Sequence, residues 1–450
     1  MPADATLPRG PRLPVAAQAV WYGVDPQGFF AAARRRHGDM FTVRIPGATW
    51  VVLADPAAIR EVLSGDPAVL WSGEANESLR PLIGRRNLLL LDGAEHLRRR
   101  RLVLPPFHGE RMQTYRELMA AAADRELDRW PTGRAGPTLP HAQAIAFDVI
   151  MRAIFGLGDG PETDELGRLL RRVLDYALSP RMMLRFAFQG PEGLVGHAPF
   201  ERMVAPLDAA VLGMIARRRS APDLAERDDI LSLLLLARDE DGAPLADRDV
   251  RDELLTLLVA GHETTAATIA WAVHFLARDR AAQDRLAAGE PGWAEAVVTE
   301  TLRLRPPVPL VVRRLKAPFA VGGRLLPAGA TVAPCALLVH RDPRIHRDPA
   351  AFRPERFMGI RPGSSTWLPF GGGVRRCIGA AFAQLEARVV LERLAARYVV
   401  RPASSRPERI GRRGIVLIPH RRGRVVLEPR MPGRQAAGAA QPELVRCRNP

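Results

Sequence analysis

The chain has 450 residues, of which 65 are Lys or Arg and 49 are Asp or Glu, so its formal charge is +16. Hydrophobic residues make up 47% of it, which is ordinary globular usage and argues against a disordered, fibrous or coiled-coil protein. Three scattered cysteines, Cys335, Cys377 and Cys447, are too few for a disulfide framework and indicate a reducing compartment.

The basic excess is almost entirely arginine, with Lys316 as the single lysine. From residue 401 to the end, 12 Arg stand against three Glu. No zinc-finger spacing or RNA-binding aromatic motif accompanies them in the sequence, so we expect no nucleic-acid partner. We interpret the arginines as a solvated surface, with an acidic protein partner as the alternative.

The longest apolar stretch, 254–277, contains His262 and Glu263, which is more typical of a buried helix than of a membrane span. The N-terminus lacks the apolar core of a signal peptide. We therefore expect a soluble, cytoplasmic protein without a membrane anchor.

Hydrophobic periodicity predicts helices through most of the chain, with strands near its start and towards its end. Strands are predicted at 41–45 and 50–53 around a Pro46-Gly47 turn, between 319 and 332, and as a hairpin of 415–418 with 425–427. The predicted helices are 113–130, 141–155, 207–219, 247–277, 293–304 and one that begins at Ile378.

These elements predict a mainly α protein with a smaller β-rich lobe. Residues 1–430 are expected to form one unit, with β-rich parts near 40–55, 319–333 and 415–428. Residues 431–450 have little to bury and are expected to be a disordered basic tail.

The segment FGGGVRRCIG, from Phe370 to Gly379, places three glycines and two arginines before a cysteine at the start of a helix. Glycines allow a tight turn and close approach to a ligand, and the helix N-terminus favours a thiolate at Cys377. A buried structural cysteine is the alternative interpretation. A nucleophilic cysteine is another, although the sequence marks no partnering histidine.

This segment resembles the haem-binding signature of the cytochromes P-450 at Phe370, Gly373, Arg375, Cys377 and Gly379. The resemblance implies the fold of that family, a triangular prism with the haem between the long central helix and the helix after the cysteine loop. It also implies that Cys377 is the thiolate ligand of a haem b iron, that Phe370 shields this ligand, and that Gly379 leaves room for the porphyrin.

Two further segments match the family in the expected order. Glu300 and Arg303 lie at i, i+3 on one helix face and match its E-x-x-R motif, and Arg356 lies in the segment PERF. By resemblance, Glu300, Arg303 and Arg356 form a structural network that supports the cysteine loop. An ordinary surface ion pair is the alternative for the first two.

The segment AGHETT of the long helix resembles the part of the family that borders the distal side of the haem. The resemblance implies that Glu263 and Thr264 relay protons to bound dioxygen, and that Ala260 and Gly261 border the pocket. A glycine and an acid inside an apolar helix are tolerable if the helix is locally opened there. His262 is given no catalytic role.

Four cations match the positions at which the family binds the haem propionates: His96 and Arg100, which lie at i, i+4, together with Arg313 and Arg375. The run of four arginines from 98 to 101 leaves the register of Arg100 open, and Arg314 competes with Arg313. Surface arginines are the alternative for all of them.

The resemblance implies a bacterial-type monooxygenase, of the kind found in secondary metabolism, that inserts one atom of O₂ into a substrate. Electrons would come from a ferredoxin and its reductase, which suits a basic face around Arg375 and Arg376, and the protein is expected to be monomeric. A haem-thiolate sensor and a basic nucleic-acid-binding protein are the rival functions.

An apolar lining predicts a fatty acyl, terpene or polyketide substrate. The lining residues are Leu88 to Leu91, Met182, Met183, Phe186, Phe188, Leu310 and Val311.

Overall fold

The computed structural model describes residues 6–107, 109, 111–177, 179, 182, 185 and 197–430. The tail at 431–450, Cys447, Met183, Phe186 and Phe188 therefore lie outside the described residues.

The α-helices in chain order are α1 (Val15–Val24), α2 (Pro26–His37), α3 (Pro56–Ser64), α4 (Arg80–Ile83), α5 (Gly93–Val103), α6 (Arg111–Arg129), α7 (Thr138–Phe155), α8 (Pro161–Ala177), α9 (Ala198–Arg219), α10 (Ile230–Leu236), α11 (Asp247–Leu276), α12 (Arg280–Ala287), α13 (Trp293–Leu304), α14 (Ala336–Val339) and α15 (Ala380–Arg397).

The strands are short and fall into four sheets. They are β1 (Met40–Ile45), β2 (Ala48–Leu53), β3 (Leu70–Trp71), β4 (Ala135–Pro137), β5 (Arg313–Leu315), β6 (Phe319–Val321), β7 (Arg324–Leu326), β8 (Thr331–Pro334), β9 (Tyr398–Pro402), β10 (Ile410–Arg413), β11 (Val416–Pro419) and β12 (Arg424–Pro429). The largest sheet has the order β1-β2-β8-β5-β3, with only the β2–β8 pair parallel. A second sheet has the order β4-β12-β9, and β6–β7 and β10–β11 are hairpins. The expectation of a mainly helical protein with a smaller β-rich lobe is confirmed.

The long helix α11 runs through the main hydrophobic core. Its observed span is within one residue of the predicted 247–277, and most of its residues are buried. It packs against α7, α15 and α13, whose apolar side chains belong to the same core cluster. A helix that is buried on nearly all sides needs no polar face, which explains why its sequence lacks a regular polar stripe.

Prolines account for two wrong helix boundaries. The helix predicted from residue 141 begins at Thr138, because Pro140 lies in its first turn, where no intrahelical N–H is needed. The helix predicted from residue 207 begins at Ala198, because Pro206 lies inside the helix and does not end it.

The last predicted helix and the last predicted hairpin are also corrected. The helix expected from Ile378 begins at Ala380, because residues 378–379 form a turn after the cysteine. Residues 415–418 and 425–427 do not pair: β11 pairs with β10, and β12 pairs with β4 and β9. Alternation identifies residues that form strands, but it does not identify their partners across the fold.

None of the helices in the described part of the chain has both the length and the apolar character needed to cross a bilayer. The longest of them, α11, carries five acidic residues, four of them in its first seven positions.

Candidate haem-thiolate site

The cysteine loop is a tight turn that directly precedes α15. The backbone N–H of Cys377 donates to the carbonyl of Phe370 at 2.9 Å, which closes the loop on itself. Gly373 has φ +62°, and a Cβ added there would lie 1.9 Å from the carbonyl oxygen of Leu63 in α3. The glycine is therefore required by the turn and by the close approach of α3, and not only by a ligand.

The sulfur side of the loop is open. Cys377 is exposed, and a Cβ added at Gly379 would meet no atom within 4 Å, so there is space beside the thiol. This fits the expectation that Gly379 leaves room for a flat group.

The pKa of the Cys377 thiol reflects burial on the one hand and nearby positive charge on the other. Although Cys377 is exposed on one side, protein surrounds it on the others, and this burial raises the pKa of its thiol. The N–H of Gly379 and the charges of Arg376 and Arg100 oppose the effect without reversing it. A bound metal ion deprotonates a coordinating thiol, so a haem iron would favour the thiolate here against the effect of burial.

Four of the predicted cations are brought together near this loop. Burial lowers the pKa of His96 to about 3, and the next causes are the charges of Arg375, Arg100 and Arg313. Burial likewise lowers the pKa of Arg313 and of Arg375 to about 10. Among the described residues, Asp92 is the carboxylate that offsets these charges at Arg313 and Arg375.

The structure supports the chosen register for two of these cations. Arg99 points instead to α11, where it pairs with Asp249 at 2.6 Å and Glu253 at 3.1 Å. Arg314 has a side chain that is 42% exposed, whereas Arg313 is buried. Strand alternation in β5 places these neighbours on opposite faces.

Asp92 is a residue of this site that the sequence analysis missed. Its carboxylate accepts the backbone N–H groups of Ser72, Gly73 and Glu74 at 2.8–2.9 Å and also pairs with Arg375. It therefore orients Arg375 and joins the segment before α4 to the cysteine loop. Its only sequence signal is its position just before α5, where an acid is common.

These residues fit a haem. A porphyrin with two propionates needs one axial ligand and positive charge at its edge, and the three guanidinium groups exceed the single Asp92 carboxylate by two charges. Cys377, whose thiol is exposed, fits the part of the axial ligand.

Midway along α11 lies a short stretch that is partly exposed. Ala260 is exposed and Thr264 is half-buried, whereas their neighbours Glu263 and Thr265 are buried. The Thr264 hydroxyl donates to the carbonyl of Ala260 at 2.7 Å. The helix is nevertheless continuous from Asp247 to Leu276, so the expected local opening of its backbone is not observed.

Gly261 follows Ala260 in this stretch and packs against α7. A Cβ added to it would lie 2.4 Å from Cδ1 of Ile150, a residue of α7. Close packing of α7 on α11 therefore explains why residue 261 is a glycine. Only backbone atoms of Gly261 are available to contact a cofactor.

Glu263 is buried on the side of α11 that faces α7 and the β10–β11 hairpin. Gln143 of α7 donates from Nε2 to both carboxylate oxygens, at 3.0 and 3.1 Å. Arg413 of β10 lies 3.5 Å away and also bonds Asp175 of α8 at 2.6 Å. His262 contacts the same carboxylate at 3.7 Å, and burial lowers the pKa of this histidine.

Glu300, Arg303 and Arg356 form the network that the sequence suggested. Arg303 makes two hydrogen bonds to the Glu300 carboxylate, at 2.7 and 2.8 Å, and Arg356 adds one at 3.1 Å. Both Glu300 and Arg303 are fully buried, which excludes the alternative of a surface ion pair.

Two residues that the sequence analysis missed connect this network to the cysteine loop. His340 lies between Arg303 and Leu368: its Nδ1 is 3.0 Å from the Arg303 carbonyl, and its Nε2 accepts the Leu368 N–H at 2.7 Å. Trp367 donates to the carbonyl of Thr299 at 3.2 Å and packs on Phe370. Burial lowers the pKa of His340 to about 3, so the ring is neutral and can accept.

Comparison with known proteins agrees with this geometry. The family model for the cytochromes P-450 matches residues 8–288 and 293–426. A protein of Mycobacterium tuberculosis named provisionally as cytochrome P-450 135B1 is 39% identical over 93% of this chain and 91% of its own length. Cytochrome P-450 137 from the same organism, also a provisional name, is 37% identical over 95% and 91%.

Two solved structures share the fold. The haem domain of cytochrome P-450DA aligns with a TM-score of 0.80 at 22% identity, covering 95% of this chain and 98% of that one. The cyanobacterial CYP120A1 with retinoic acid bound also gives 0.80, at 23% identity, over 95% and 100%. Both alignments thus show the fold of the haem-thiolate proteins. The chain belongs to the cytochrome P-450 family, whose members are monooxygenases.

Proposed function

We propose that this monooxygenase uses haem b, held by Cys377, to insert one oxygen atom of O₂ into a hydrophobic small molecule. The proposed catalytic unit is the chain up to residue 430. The observation that carries the proposal is that Ala260 is exposed and Thr264 half-buried on a mostly buried helix, next to the acid Glu263.

The haem, when bound, supplies the binding and reductive activation of O₂. Cys377 would be its axial ligand, with Phe370, Gly373 and Gly379 shaping the loop around it. His96, Arg100, Arg313 and Arg375 would hold the propionates, and the Glu300–Arg303–Arg356 network would keep the loop in place.

Protons would reach the pocket through α11. Thr264 would hold a proton at Oγ1, and Glu263 would replace it. Glu263 is buried but touches Arg413, whose other partner, Asp175, is 69% exposed. Arg413 and Asp175 would therefore mark the path between solvent and the buried acid; Arg413 keeps its protons and would orient the carboxylate together with Gln143.

The substrate is proposed to be apolar, of fatty acyl, terpene or polyketide type. Leu88, Leu89, Leu310 and Val311 are partly exposed apolar residues in segments that lie near Asp92 and Arg313. Met182 is buried. Apolar side chains at these positions favour a neutral hydrocarbon body over a charged metabolite.

The proposed electron donors are a ferredoxin and its reductase. Arg375 does not belong to the docking face, because its side chain is buried and paired with Asp92. Arg376 is exposed, and beside it Val374 is 42% exposed, although it lies in the loop that carries the thiol. A small basic surface with an apolar centre suits a transient acidic partner.

The substrate proposal is tested by titrating the holoprotein with a panel of fatty acids, terpenes and polyketides and recording the haem absorption spectrum. We expect a change of spin state with at least one apolar class and none with polar, charged metabolites. The reverse pattern would contradict the proposed pocket.

The partner proposal is tested by the rate of electron transfer from an acidic ferredoxin. Arg376→Gln should lower this rate several-fold at low salt and reduce its salt dependence, because an opposite charge is lost. Arg324→Gln, an exposed arginine of β7, is the matched control and should leave the rate unchanged. Equal effects of both substitutions would contradict a specific face.

A further inference from the structure

The chain between α4 and α5 contains residues 84–91, which form neither helix nor strand and which we call the 84–91 segment. It begins at Gly84, which has φ +80°, and a Cβ added there would lie 2.1 Å from the carboxylate of Asp252 in α11. Asn87 is fully buried, and its side-chain oxygen accepts two backbone N–H groups of the same segment at 3.0 and 3.1 Å. The segment therefore follows a defined path against α11 without regular secondary structure.

Three acids in the first two turns of α11 hold the first half of this segment. Asp252 accepts the backbone N–H of Arg86 at 3.0 Å, and Asp249 accepts the side-chain Nε–H of the same arginine at 2.8 Å. Burial raises the pKa of Glu253 to about 7, and a hydrogen bond from the backbone of Leu88 is among the effects that lower it. Glu253 thus extends the attachment to Leu88.

Arg99 of α5 joins these acids to the segment. Its guanidinium donates to Asp249 at 2.6 Å, to Glu253 at 3.1 Å and to the backbone carbonyl of Arg86 at 2.8 Å. The Arg99 side chain is buried. A guanidinium presents its donors in a rigid plane and can bridge three acceptors, whereas an ammonium is a compact charge on a flexible stem. Arg99 is therefore the residue at which α5, α11 and the 84–91 segment meet.

Arg375 holds the other end of the segment. Its guanidinium donates to the carbonyl of Leu88 at 3.2 Å and to the carbonyl of Leu91, and it pairs with Asp92. Because Arg375 is one of the residues proposed to bind the haem, residues 88–91 are fixed between α11 and the haem site. Loss of either attachment would let them move relative to the haem.

We propose that Arg99, acting with Asp249 and Glu253, is a positioning residue that selects among apolar substrates. It does so by fixing residues 88–91 relative to the haem. The proposal rests on the proposed function, in which leucines of this segment line the pocket. Arg99 would not touch the substrate, because its donors are used by α11 and by the segment. A fixed apolar wall distinguishes ligands that differ by one methylene by about tenfold or more, and a mobile wall does not.

The test compares Arg99→Lys with the matched control Arg218→Lys, both as holoproteins. Arg218 of α9 is similarly buried and also bridges three acceptors, none of them in the 84–91 segment. They are the carboxylate of Asp229, the hydroxyl of Ser232 at 2.6 Å and the carbonyl of Phe155 at 2.8 Å. Each substitution keeps the positive charge and removes the bridging plane, so both should lower the free energy of unfolding to a similar extent.

We expect Arg99→Lys to raise the Kd of the best apolar ligand, measured from the haem spin state, about tenfold. Its preference between two ligands that differ by one methylene should fall to about a third of the wild-type ratio. Backbone amides 86–90 should exchange hydrogen about tenfold faster. Haem content and the Kd of imidazole, which binds the iron directly, should not change.

Arg218→Lys should leave the ligand Kd, the preference and the exchange of amides 86–90 as in wild type. Glu253→Gln is a milder variant, because Asp249 still pairs with Arg99 in it. It should shift the ligand Kd in the same direction as Arg99→Lys, by about threefold.

Three results would overturn the proposal. If Arg99→Lys and Arg218→Lys match in ligand Kd and in exchange, the positioning role fails and the proposed function stands. If amides 86–90 exchange faster but the preference between ligands is unchanged, the segment is attached by Arg99 but does not select. If no apolar ligand changes the spectrum of haem-loaded wild type, the proposed substrate class fails, and the positioning role fails with it.

Discussion

Two buried carboxylates of this protein, Glu300 and Glu263, differ in how they are held. Glu300 is fully buried and accepts hydrogen bonds from Arg303, Arg356 and the backbone N–H of Arg353. Glu263 has one amide donor, and its guanidinium neighbour lies at 3.5 Å and is partly exposed. A saturated carboxylate is suited to fixing a loop, whereas a loosely held one that is linked to solvent is suited to exchanging a proton.

The largest expected effect is that of Glu300→Gln. Loss of this carboxylate leaves the buried Arg303 without its charge partner, so the free energy of unfolding should fall by about 3–5 kcal/mol. Urea unfolding measures the change. Glu295→Gln, which breaks a pair with Arg388 on an exposed part of the same helix, should cost less than about 1 kcal/mol. Similar costs for both would show that Glu300 is not structural.

Glu263→Gln should act on turnover and not on folding. We expect the rate of product formation to fall roughly a hundredfold, because the acid that resupplies Thr264 is lost. Unfolding and haem content should stay close to wild type. Thr264→Ala should likewise uncouple electron consumption from product, whereas His262→Gln should not. Unchanged product per electron in Glu263→Gln would refute the relay.

A third buried carboxyl group, that of Glu386 in α15, shows the effect of burial without a charged partner. Burial raises the pKa of Glu386 to about 8, and one of its oxygens has no partner. A carboxyl group with a raised folded-state pKa stabilises the fold at low pH, and this contribution is lost as pH rises through about 8.

Glu386→Gln should therefore remove part of the alkaline destabilisation. Relative to wild type, we expect the variant to gain about 2 kcal/mol of unfolding free energy between pH 6 and pH 9. Parallel pH profiles of stability for the two proteins would mean that Glu386 does not titrate in this range.

The smallest expected effect belongs to Arg413. Its contact with Glu263 is partly exposed, so Arg413→Gln should lower product per electron by up to about fivefold. It should also enlarge the solvent deuterium isotope effect. Arg412→Gln is the matched control, because Arg412 stacks on Tyr22 at 4.4 Å and is not part of the Glu263 contacts. A larger effect at Arg412 would contradict the proposed route.

Local pattern was sufficient for the elements and motifs nearest to the haem site. The length and apolar character of 247–277 predicted α11 to within one residue, and the i, i+3 spacing predicted the contact of Glu300 with Arg303. Both depend on helix geometry alone. Period-two alternation likewise explains why Arg313 is buried while Arg314 is exposed.

Long-range pairing was not predictable in the same way. Gln143 and Arg413 lie 120 and 150 positions from Glu263, and no periodicity connects them. The same reason applies to the strand partners of β11 and β12 and to the hydrogen bonds of His340. These contacts join segments that are distant in the chain, so no local pattern predicts them. The pKa of the Cys377 thiol also depends on burial and on Arg100, which no local pattern near the cysteine shows.

The central claim is that Cys377 supplies the thiolate ligand of a haem. It is tested most directly by the reduced carbon monoxide difference spectrum of wild type and of Cys377→Ser, both purified after expression with hemin. We predict the red-shifted thiolate band in wild type and its loss in Cys377→Ser. The same band in the variant, or its absence from folded, haem-loaded wild type, would contradict the assignment.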